Sequence, residues 1–155
     1  MYAAGLTMRP ENVEEFKRRF NAFVEENIDP KMLVPQVEYD SELSLNEINM
    51  EFFQQLNLFQ PFGPGNNMPV FVSKGVQNSG DAKLVGANAE HLRMELMQGG
   101  HPSSRIQTIA FQQPTHFEWV RARKPIDVCY QIVENIYRGK VSLQLRIKDI
   151  KPVIG

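Results

Sequence analysis

The chain has 155 residues, of which 42% are hydrophobic and 23% charged, which is enough apolar material for one compact domain or two small ones. No apolar run approaches the roughly 20 residues that cross a bilayer, the N-terminal sequence lacks the layout of a signal peptide, and a single cysteine, Cys129, excludes an internal disulfide. We therefore expect no membrane contact, a reducing compartment such as the cytoplasm, and a small buried strand residue at Cys129.

The net charge of −1 is unevenly distributed along the chain. Residues 1–65 contain 5 basic and 11 acidic residues, whereas residues 66–155 contain 12 basic and 7 acidic residues. A basic second half indicates an anionic partner, unless these charges simply form a solvated surface.

The first part of the chain predicts a short strand followed by an amphipathic helix. The run Ala3–Met8 is short and apolar, as in a strand. From about residue 10 to residue 27 the apolar side chains recur three or four positions apart on one helical face, at Val13, Phe16, Phe20, Phe23 and Val24. Pro10 suits the first turn of this helix, and the acidic residues that follow suit the positive end of its dipole.

A second strand and a second helix are predicted next. Residues Val37–Leu45 alternate between apolar and polar, which is typical of a strand. Ser44 and Glu47 have the spacing of a capping box, and apolar residues at helical intervals then predict a helix over about residues 45–58.

The connection LFQPFGPGNNMPVF, residues 58–71, predicts a shaped turn rather than a flexible linker. Its prolines fix φ and its glycines and asparagines allow φ above zero. We expect the turn to end the helix and direct the chain into the first strand of a β-domain, while its glycines offer a close approach to a neighbouring domain or a phosphate as an alternative. The residues assigned to this structural turn are Pro61, Phe62, Gly63, Gly65 and Asn66.

The remaining residues are rich in β-forming segments separated by turn sequences. Segments beginning near residues 69, 83, 91, 105, 125 and 140 are β-rich or alternating, and Gln112–Arg123 has room for a helical turn. The chain is therefore predicted to be α+β, with a small closed β-barrel or sandwich in its second half.

No catalytic motif accompanies these elements. The spacings of His91, His101 and His116 match no metal-ligand motif, and no phosphate-binding loop or nucleophile motif is present. The second half does combine basic and aromatic residues, as proteins that hold single-stranded nucleic acid do. Phe111 and Tyr130 are expected to belong to the core, whereas Arg146 and Lys148 share one face of their strand.

Five segments resemble the C-terminal part of the RecJ family of exonucleases specific for single-stranded DNA. They are YAAGLTM (residues 2–8), the turn sequence of residues 58–71, HLRMEL (91–96), IQTIAF (106–111) and ENIYRGKVSLQLRIKDIKP (134–152). In that family a Gly-Gly-His motif precedes the first segment, and here Met1 stands directly after the place of its histidine. Only Tyr2, Ala3, Ala4 and Gly5 match the trailing edge of the motif.

The resemblance implies a part of a longer enzyme without its catalytic domain. Residues 1–34 would be the end of a DHH-associated domain, and residues 35–155 an OB-fold-like antiparallel barrel with an added helix. This part would hold no metal or other cofactor, whereas the parent enzyme would use manganese or magnesium to degrade single-stranded DNA from 5′ to 3′ in repair and recombination. Its partners would be single-stranded DNA and the missing catalytic domain, with the oligomeric state left open.

The same resemblance leaves two functions open for this chain. The first is a non-catalytic DNA-binding module, and the second is a protein-interaction module that docks on the catalytic domain or another repair protein. For the first function, the expected DNA contacts are Arg105, Trp119, Arg123, Lys124, Tyr137, Arg138, Lys140 and Lys148.

Overall fold

The computed structural model describes residues 4–34, 36–100 and 104–153 of the chain. The internal contacts divide the chain into two compact units, Met1–Gln36 and Val37–Gly155.

The first unit consists of one helix with a 3-10 turn on either side. Helix α1 spans Val13–Asn27 after a turn at Pro10–Asn12, which confirms the predicted helix. Phe16 and Phe20 stack with ring centroids 5.5 Å apart, and no residue of α1 is buried. Residues 4–9 have no regular secondary structure, so the predicted strand is wrong for the described residues. A strand needs a partner for its backbone groups, and none of the described strands pairs with this segment.

The second unit carries the β-structure. Its described elements are β1 (Ser41–Glu42), α2 (Met50–Asn57), β2 (Phe71–Asn78), β3 (Lys83–Val85), β4 (His91–Met97), β5 (Ile106–Ala110), α3 (Phe117–Arg121), β6 (Ile126–Tyr137) and β7 (Lys140–Pro152). The strands from β2 onward fall where the sequence predicts them, and α3 lies in the segment predicted to hold a helical turn.

Five of these strands close into a ring. The pairings run β2–β4–β5–β7–β6 and return from β6 to β2, while β1 and β3 extend the sheet beside β2 and β4. The β5–β7 and β1–β2 pairs are parallel, so the predicted antiparallel arrangement is wrong for these two pairs. In chain order the strands of the ring are β2, β4, β5, β6 and β7, and α3 lies between the third and the fourth of them. This is the arrangement of the predicted OB-fold.

Alternation along the strands fills the ring with apolar side chains. In β4, Leu92, Met94 and Leu96 are fully buried, and the residues between them are partly exposed. The same period of two places polar residues on the outside of the ring. The rest of the core comes from the neighbouring strands, α2 with the segment before it, and α3, with Leu45, Phe53, Phe71, Val76, Ile106, Ala110, Val120, Ile126, Val128, Tyr130, Ile132, Leu145, Ile147 and Ile150.

A buried chain of hydroxyl groups joins this core to the segment that precedes α2. The Ser73 hydroxyl lies 2.6 Å from the Leu43 carbonyl oxygen and 2.8 Å from the Tyr130 hydroxyl. Because a carbonyl oxygen only accepts, Ser73 donates to Leu43 and accepts from Tyr130. Burial raises the pKa of Tyr130 to about 12. The segment is thus fixed to Ser73 of β2 by a partly buried hydrogen bond, and Ser73 is fixed in turn to Tyr130 of β6 by a buried one.

Helix α2 begins later than the sequence predicts. The capping box at Ser44 forms, with the Ser44 N–H donating to Glu47 Oε2 at 2.7 Å, but it closes a 3-10 turn at Leu45–Glu47. The N-cap of α2 is Asn49, whose side-chain oxygen accepts from the Phe52 N–H at 2.9 Å. The strand predicted over Val37–Leu45 is reduced to β1, since only β1 finds a register partner on β2.

The turn after α2 is held by its own backbone and by one asparagine. Gly63 and Asn66 exchange backbone hydrogen bonds of 2.8 and 2.9 Å around Pro64 and Gly65. The Asn66 amide also donates to the carbonyl oxygens of Phe59 and Pro61. Gly65 has a φ of 82°, which suits glycine, and the Gln60–Pro61 peptide bond is cis. The turn connects α2 to β2, and open space surrounds Gly63 and Gly65 among the described atoms.

The last two strands form a long hairpin. Its loop is Arg138–Gly139, with φ values of 50° and 77°, as in the type I′ turns that suit two-residue hairpins. In the described pairings β2 reaches β6 only as far as Tyr130 and β5 reaches β7 only from Gln144. Residues 134–137 and 140–143 therefore pair only with each other, and we call these residues the ribbon.

Candidate nucleic-acid interface

The outer face of β4, β5 and β7 carries polar and charged side chains at aligned positions, including the carboxylate of Glu95, which accepts a hydrogen bond of 3.2 Å from Gln107 Nε2. The register places Arg93 of β4 beside Ile109 of β5, and Ile109 beside Arg146 of β7. Gln107 and Gln144 are partners one step along the same face. Since neighbouring strands lie about 4.8 Å apart, the backbones at Arg93 and Arg146 are about 10 Å apart.

A groove of about 550 Å³ lies between this face and the ribbon of β6 and β7. Its described lining is Arg93, Gln107, Asn135, Tyr137, Lys140, Val141, Ser142 and Gln144, and contains cations but no carboxylate. The Arg93 Nε atom is buried and has no hydrogen-bond partner among the described residues. A buried donor without a partner is unfavourable by about 1–3 kcal/mol, so Arg93 is suited to an anionic or hydrogen-bonding ligand.

One end of this face carries an exposed phenylalanine beside a cation. Phe111 is 46% exposed, and the Arg146 guanidinium carbon lies 5.8 Å from its ring centroid. The ring of His91 contacts Phe111 edge-on at 5.0 Å, and His91 Nδ1 accepts the Gln112 N–H at 3.2 Å. The assignment of Phe111 to the core is wrong, because β5 ends with Ala110 facing inward and the next residue turns outward. Tyr130 is buried in the core, as expected.

The other end carries an exposed tyrosine on the ribbon. Tyr137 is 64% exposed, and the Arg138 guanidinium carbon lies 5.3 Å from its ring centroid. Lys140 is the register partner of Tyr137 across the hairpin. Both ends of the face thus pair an aromatic ring with a cation, which is the combination that stacks bases and holds phosphates.

Several of the predicted contacts lie on or beside this face. Tyr137 and Lys140 line the groove, and Arg138 is in the adjoining turn. Lys148 is exposed where a β-bulge interrupts the pairing of β6 and β7, two residues after Arg146. Arg105 precedes β5, with its Nη1 atom 3.7 Å from Glu95 Oε2 on β4.

The other predicted contacts lie at α3 and the turn after it, and none of them lines the groove. Trp119 is half-buried against the core and its indole N–H donates to the Pro125 carbonyl oxygen at 3.2 Å. Lys124 Nζ lies 4.4 Å from the Trp119 ring centroid. Arg123 has a φ of 54° and its guanidinium lies against Gly80.

The motif remnant lies in the first unit. Ala4 and Gly5 are exposed there, and Tyr2 and Ala3, like His101, lie outside the described residues.

Sequence reasoning missed the two residues that best define the site, Arg93 and Phe111. Alternation in HLRMEL already places Arg93 on the same strand face as His91 and Glu95. What the sequence does not show is the register that sets Arg93 and Arg146 on either side of Ile109, since that register depends on the pairing of β4 and β7 with β5.

Carboxylates gather on a different part of the ring. Asp127 and Asp149 line a depression of about 300 Å³ together with Lys74, Lys151 and Cys129. Cys129 lies on a strand as predicted but is half-buried rather than buried, because it faces the outer side of β6. This partial burial raises the pKa of the Cys129 thiol, and the two aspartates raise it further. The groove is therefore the more electropositive of these two surfaces.

Neither a metal site nor a membrane segment is found within residues 4–34, 36–100 and 104–153. No three His, Cys, Asp or Glu side chains cluster there as a metal would require. None of the helices in those ranges is both long enough and apolar enough to span a bilayer.

Comparison with known proteins identifies the family to which this chain belongs. Residues 39–149 match the RecJ OB domain. The chain belongs to the RecJ OB domain family. It is 32% identical over 153 residues to the single-stranded-DNA-specific exonuclease RecJ of Haemophilus influenzae, covering 97% of this chain and 26% of that protein. It is 26% identical over 148 residues to the RecJ exonuclease of Bacillus subtilis, covering 95% of this chain and 18% of that protein.

A solved structure shares the fold. The crystal structure of RecJ in complex with Mn²⁺ from Thermus thermophilus superposes with a TM-score of 0.68 at 22% identity, covering 97% of this chain and 20% of that chain. The chain thus spans about a quarter of the length of the curated relatives, or less. Its similarity to RecJ is spread along nearly its whole length, in agreement with the resemblance of the five sequence segments.

Proposed function

We propose that the second unit is a non-catalytic, single-stranded-DNA-binding module of a RecJ-like exonuclease that acts from 5′ to 3′ in DNA repair and recombination. The observation that carries the proposal is the groove formed by β4, β5 and the ribbon, with the unpartnered Arg93 Nε atom and no carboxylate in its described lining. The names of the RecJ relatives supply the substrate class, which is single-stranded DNA.

The chemistry of the groove fits an unpaired strand better than a duplex. Phosphates would be held by Arg93 and Lys140 within the groove and by Arg146 and Lys148 beside it. The exposed rings of Phe111 and Tyr137 offer stacking surfaces that bases reach only when they are unpaired. The amides of the groove add hydrogen-bond donors and acceptors for base edges.

Catalysis would belong to another part of the longer protein. Manganese or magnesium would be bound there, and the module would hold the strand that leads to the nuclease site. With either metal added, we expect the chain described here to leave single-stranded DNA intact. The catalytic domain would be its intramolecular partner.

Fluorescence anisotropy with a labelled oligothymidylate, at about 50 and about 200 mM salt, tests the proposal. Affinity should fall with salt, and removing one phosphate contact should reduce the log–log slope by about 0.7. Arg93→Ala and Lys140→Ala should each lower both the affinity and the slope. Lys151→Ala is the matched control, since Lys151 belongs to the depression with the carboxylates. The absence of binding at both salt concentrations would contradict the proposal.

One observation favours a protein-interaction module as the second candidate. Leu58 and Phe59, just after α2, are 76% and 66% exposed. An apolar pocket of about 170 Å³ lined by Phe53, Leu56 and other residues lies in the same unit. Polar substitutions at Leu58 and Phe59 that abolish association with the separately produced catalytic domain, while DNA binding persists, would support this role in addition to the first.

A further inference from the structure

The two exposed rings on the groove face differ in how they are supported. Phe111 directly follows β5, which is a strand of the closed ring, and its exposed side chain has Arg146 and His91 against it. Tyr137 lies on the ribbon with Arg138 against it. Phe71 and Tyr130 are buried, Trp119 is half-buried beside α3, and Tyr137 is the one aromatic residue in the described lining of the groove.

The contact of Arg146 with Phe111 and the register of the hairpin together set the distance between the rings. Phe111 stands beside Arg146, and Tyr137 pairs with Lys140. Arg146 and Lys140 are six positions apart on the same strand, and both face the groove side. At about 3.3 Å per residue the two rings are separated by about 20 Å.

The surface between the rings is polar and contains no third exposed ring among the described residues. Arg93, Gln107, Asn135 and Gln144 occupy it. A strand with bases stacked at about 3.4 Å covers 20 Å with about seven nucleotides, and a strand stretched to twice that spacing covers it with about four. Both lengths fall within the range of about 4 to 16 nucleotides per OB-fold.

We infer that the groove and the surface beside it at Phe111 together form a two-platform site, in which one base stacks on Phe111, another stacks on Tyr137, and about two to five nucleotides lie between them. This inference rests on the proposed function. It assigns the site a minimum oligonucleotide length of about four to seven nucleotides for full affinity. A shorter oligonucleotide occupies one platform only, whereas a longer one reaches the second at high effective concentration.

The experiment measures affinity against length. Oligothymidylates of about 2 to about 12 nucleotides compete with a labelled long oligothymidylate for the whole chain, at low salt. We expect a step of about 5-fold to about 150-fold in affinity between about four and seven nucleotides, which corresponds to one added stacking contact. Beyond that length only the gradual increase from additional binding positions should remain.

Paired variants at each platform identify the origin of the step. Phe111→Ala and Tyr137→Ala should each remove the step while short oligonucleotides still bind. Phe111→Tyr and Tyr137→Phe keep a stacking ring and should preserve it. Both side chains are exposed, so we expect these variants to unfold at unchanged denaturant concentration, and urea titration of each variant checks this.

The possible results separate the inference from the proposed function. If long oligothymidylates bind with no step, or if the alanine variants weaken all lengths equally, the two-platform site is wrong and the DNA-binding module stands. If long oligothymidylates do not bind at all, both are wrong. If the step is present and is removed by both alanine variants, both are supported.

Discussion

Replacing Ser73 by alanine should destabilise the second unit by about 2–4 kcal/mol. Ser73 is fully buried and makes two short hydrogen bonds, to Leu43 and to Tyr130. Alanine removes both bonds and leaves the Tyr130 hydroxyl and the Leu43 carbonyl without partners in the core. The two lost bonds contribute about 2 kcal/mol together, and the groups left unpaired add up to about 2 kcal/mol more, since the Leu43 carbonyl is only partly buried.

The Tyr130→Phe variant should be milder, because Ser73 still donates to Leu43 when the phenol is gone. We expect the free energy of unfolding to fall by about 1–2 kcal/mol in this variant. In the double variant Ser73→Ala/Tyr130→Phe no unpaired phenol remains, so its loss should be smaller than the sum of the single losses by about 1 kcal/mol.

Urea denaturation followed by the fluorescence of the single tryptophan, Trp119, provides the measurement, because α3 belongs to the same unit. The slope of free energy against urea should stay constant across the variants, so that midpoints report stability alone. A Ser73→Ala loss below about 0.5 kcal/mol, or strictly additive losses, would refute the account of the hydroxyl chain.

The raised pKa of Tyr130 adds a pH dependence to the same test. An unfolded tyrosine has a pKa of about 10, and Tyr130 has about 12 in the folded chain. The folded state therefore keeps the proton more strongly, and this contribution is fully present below pH 10 and lost as the pH rises to about 12. Compared with Tyr130→Phe, the wild type should lose an additional stability of about 2–3 kcal/mol over that interval.

Three further changes have defined outcomes. Gly65→Ala should destabilise the second unit by about 1–2 kcal/mol, because φ is 82° there, whereas Gly63→Ala, the control in the same turn, should lose less than about 1 kcal/mol in the same urea titration. Asn49→Ala removes the N-cap of α2 and should lower the stability by about 1 kcal/mol, measured by the urea midpoint. The Cys129 thiol should react with iodoacetamide more slowly than a free cysteine at pH 8, and unfolding in urea should abolish the difference.

The elements of the fold that depend on local pattern could be read from the sequence. Alternation located β4 through β7, and helical spacing located α1. The start of α2 was misplaced because two capping sequences follow each other, and Ser44 precedes Asn49. Nothing local distinguishes the cap of a 3-10 turn from the cap of a helix, since the two share their first hydrogen bonds.

The site was less accessible to sequence reasoning, because it depends on contacts between distant strands. Lys140 and Tyr137 could be found from their hairpin, in which partners are close in sequence. Arg93 becomes prominent only when β4 pairs with β5 and β5 with β7. In the sequence, the basic residues near Trp119 cannot be distinguished from those of the groove. The fold shows that the two groups lie on different parts of the surface.

The ribbon gives the two ends of the groove unequal stiffness. A two-stranded segment without a third strand is marginally stable, so residues 134–143 open at lower free energy than the closed ring does. A ligand that engages Tyr137 must first restrict this motion, and the associated loss of conformational entropy is subtracted from its stacking energy. Phe111, which directly follows a strand of the closed ring, requires less ordering. A bound nucleic acid would therefore be held at a rigid position near Phe111 and at a flexible position on the ribbon.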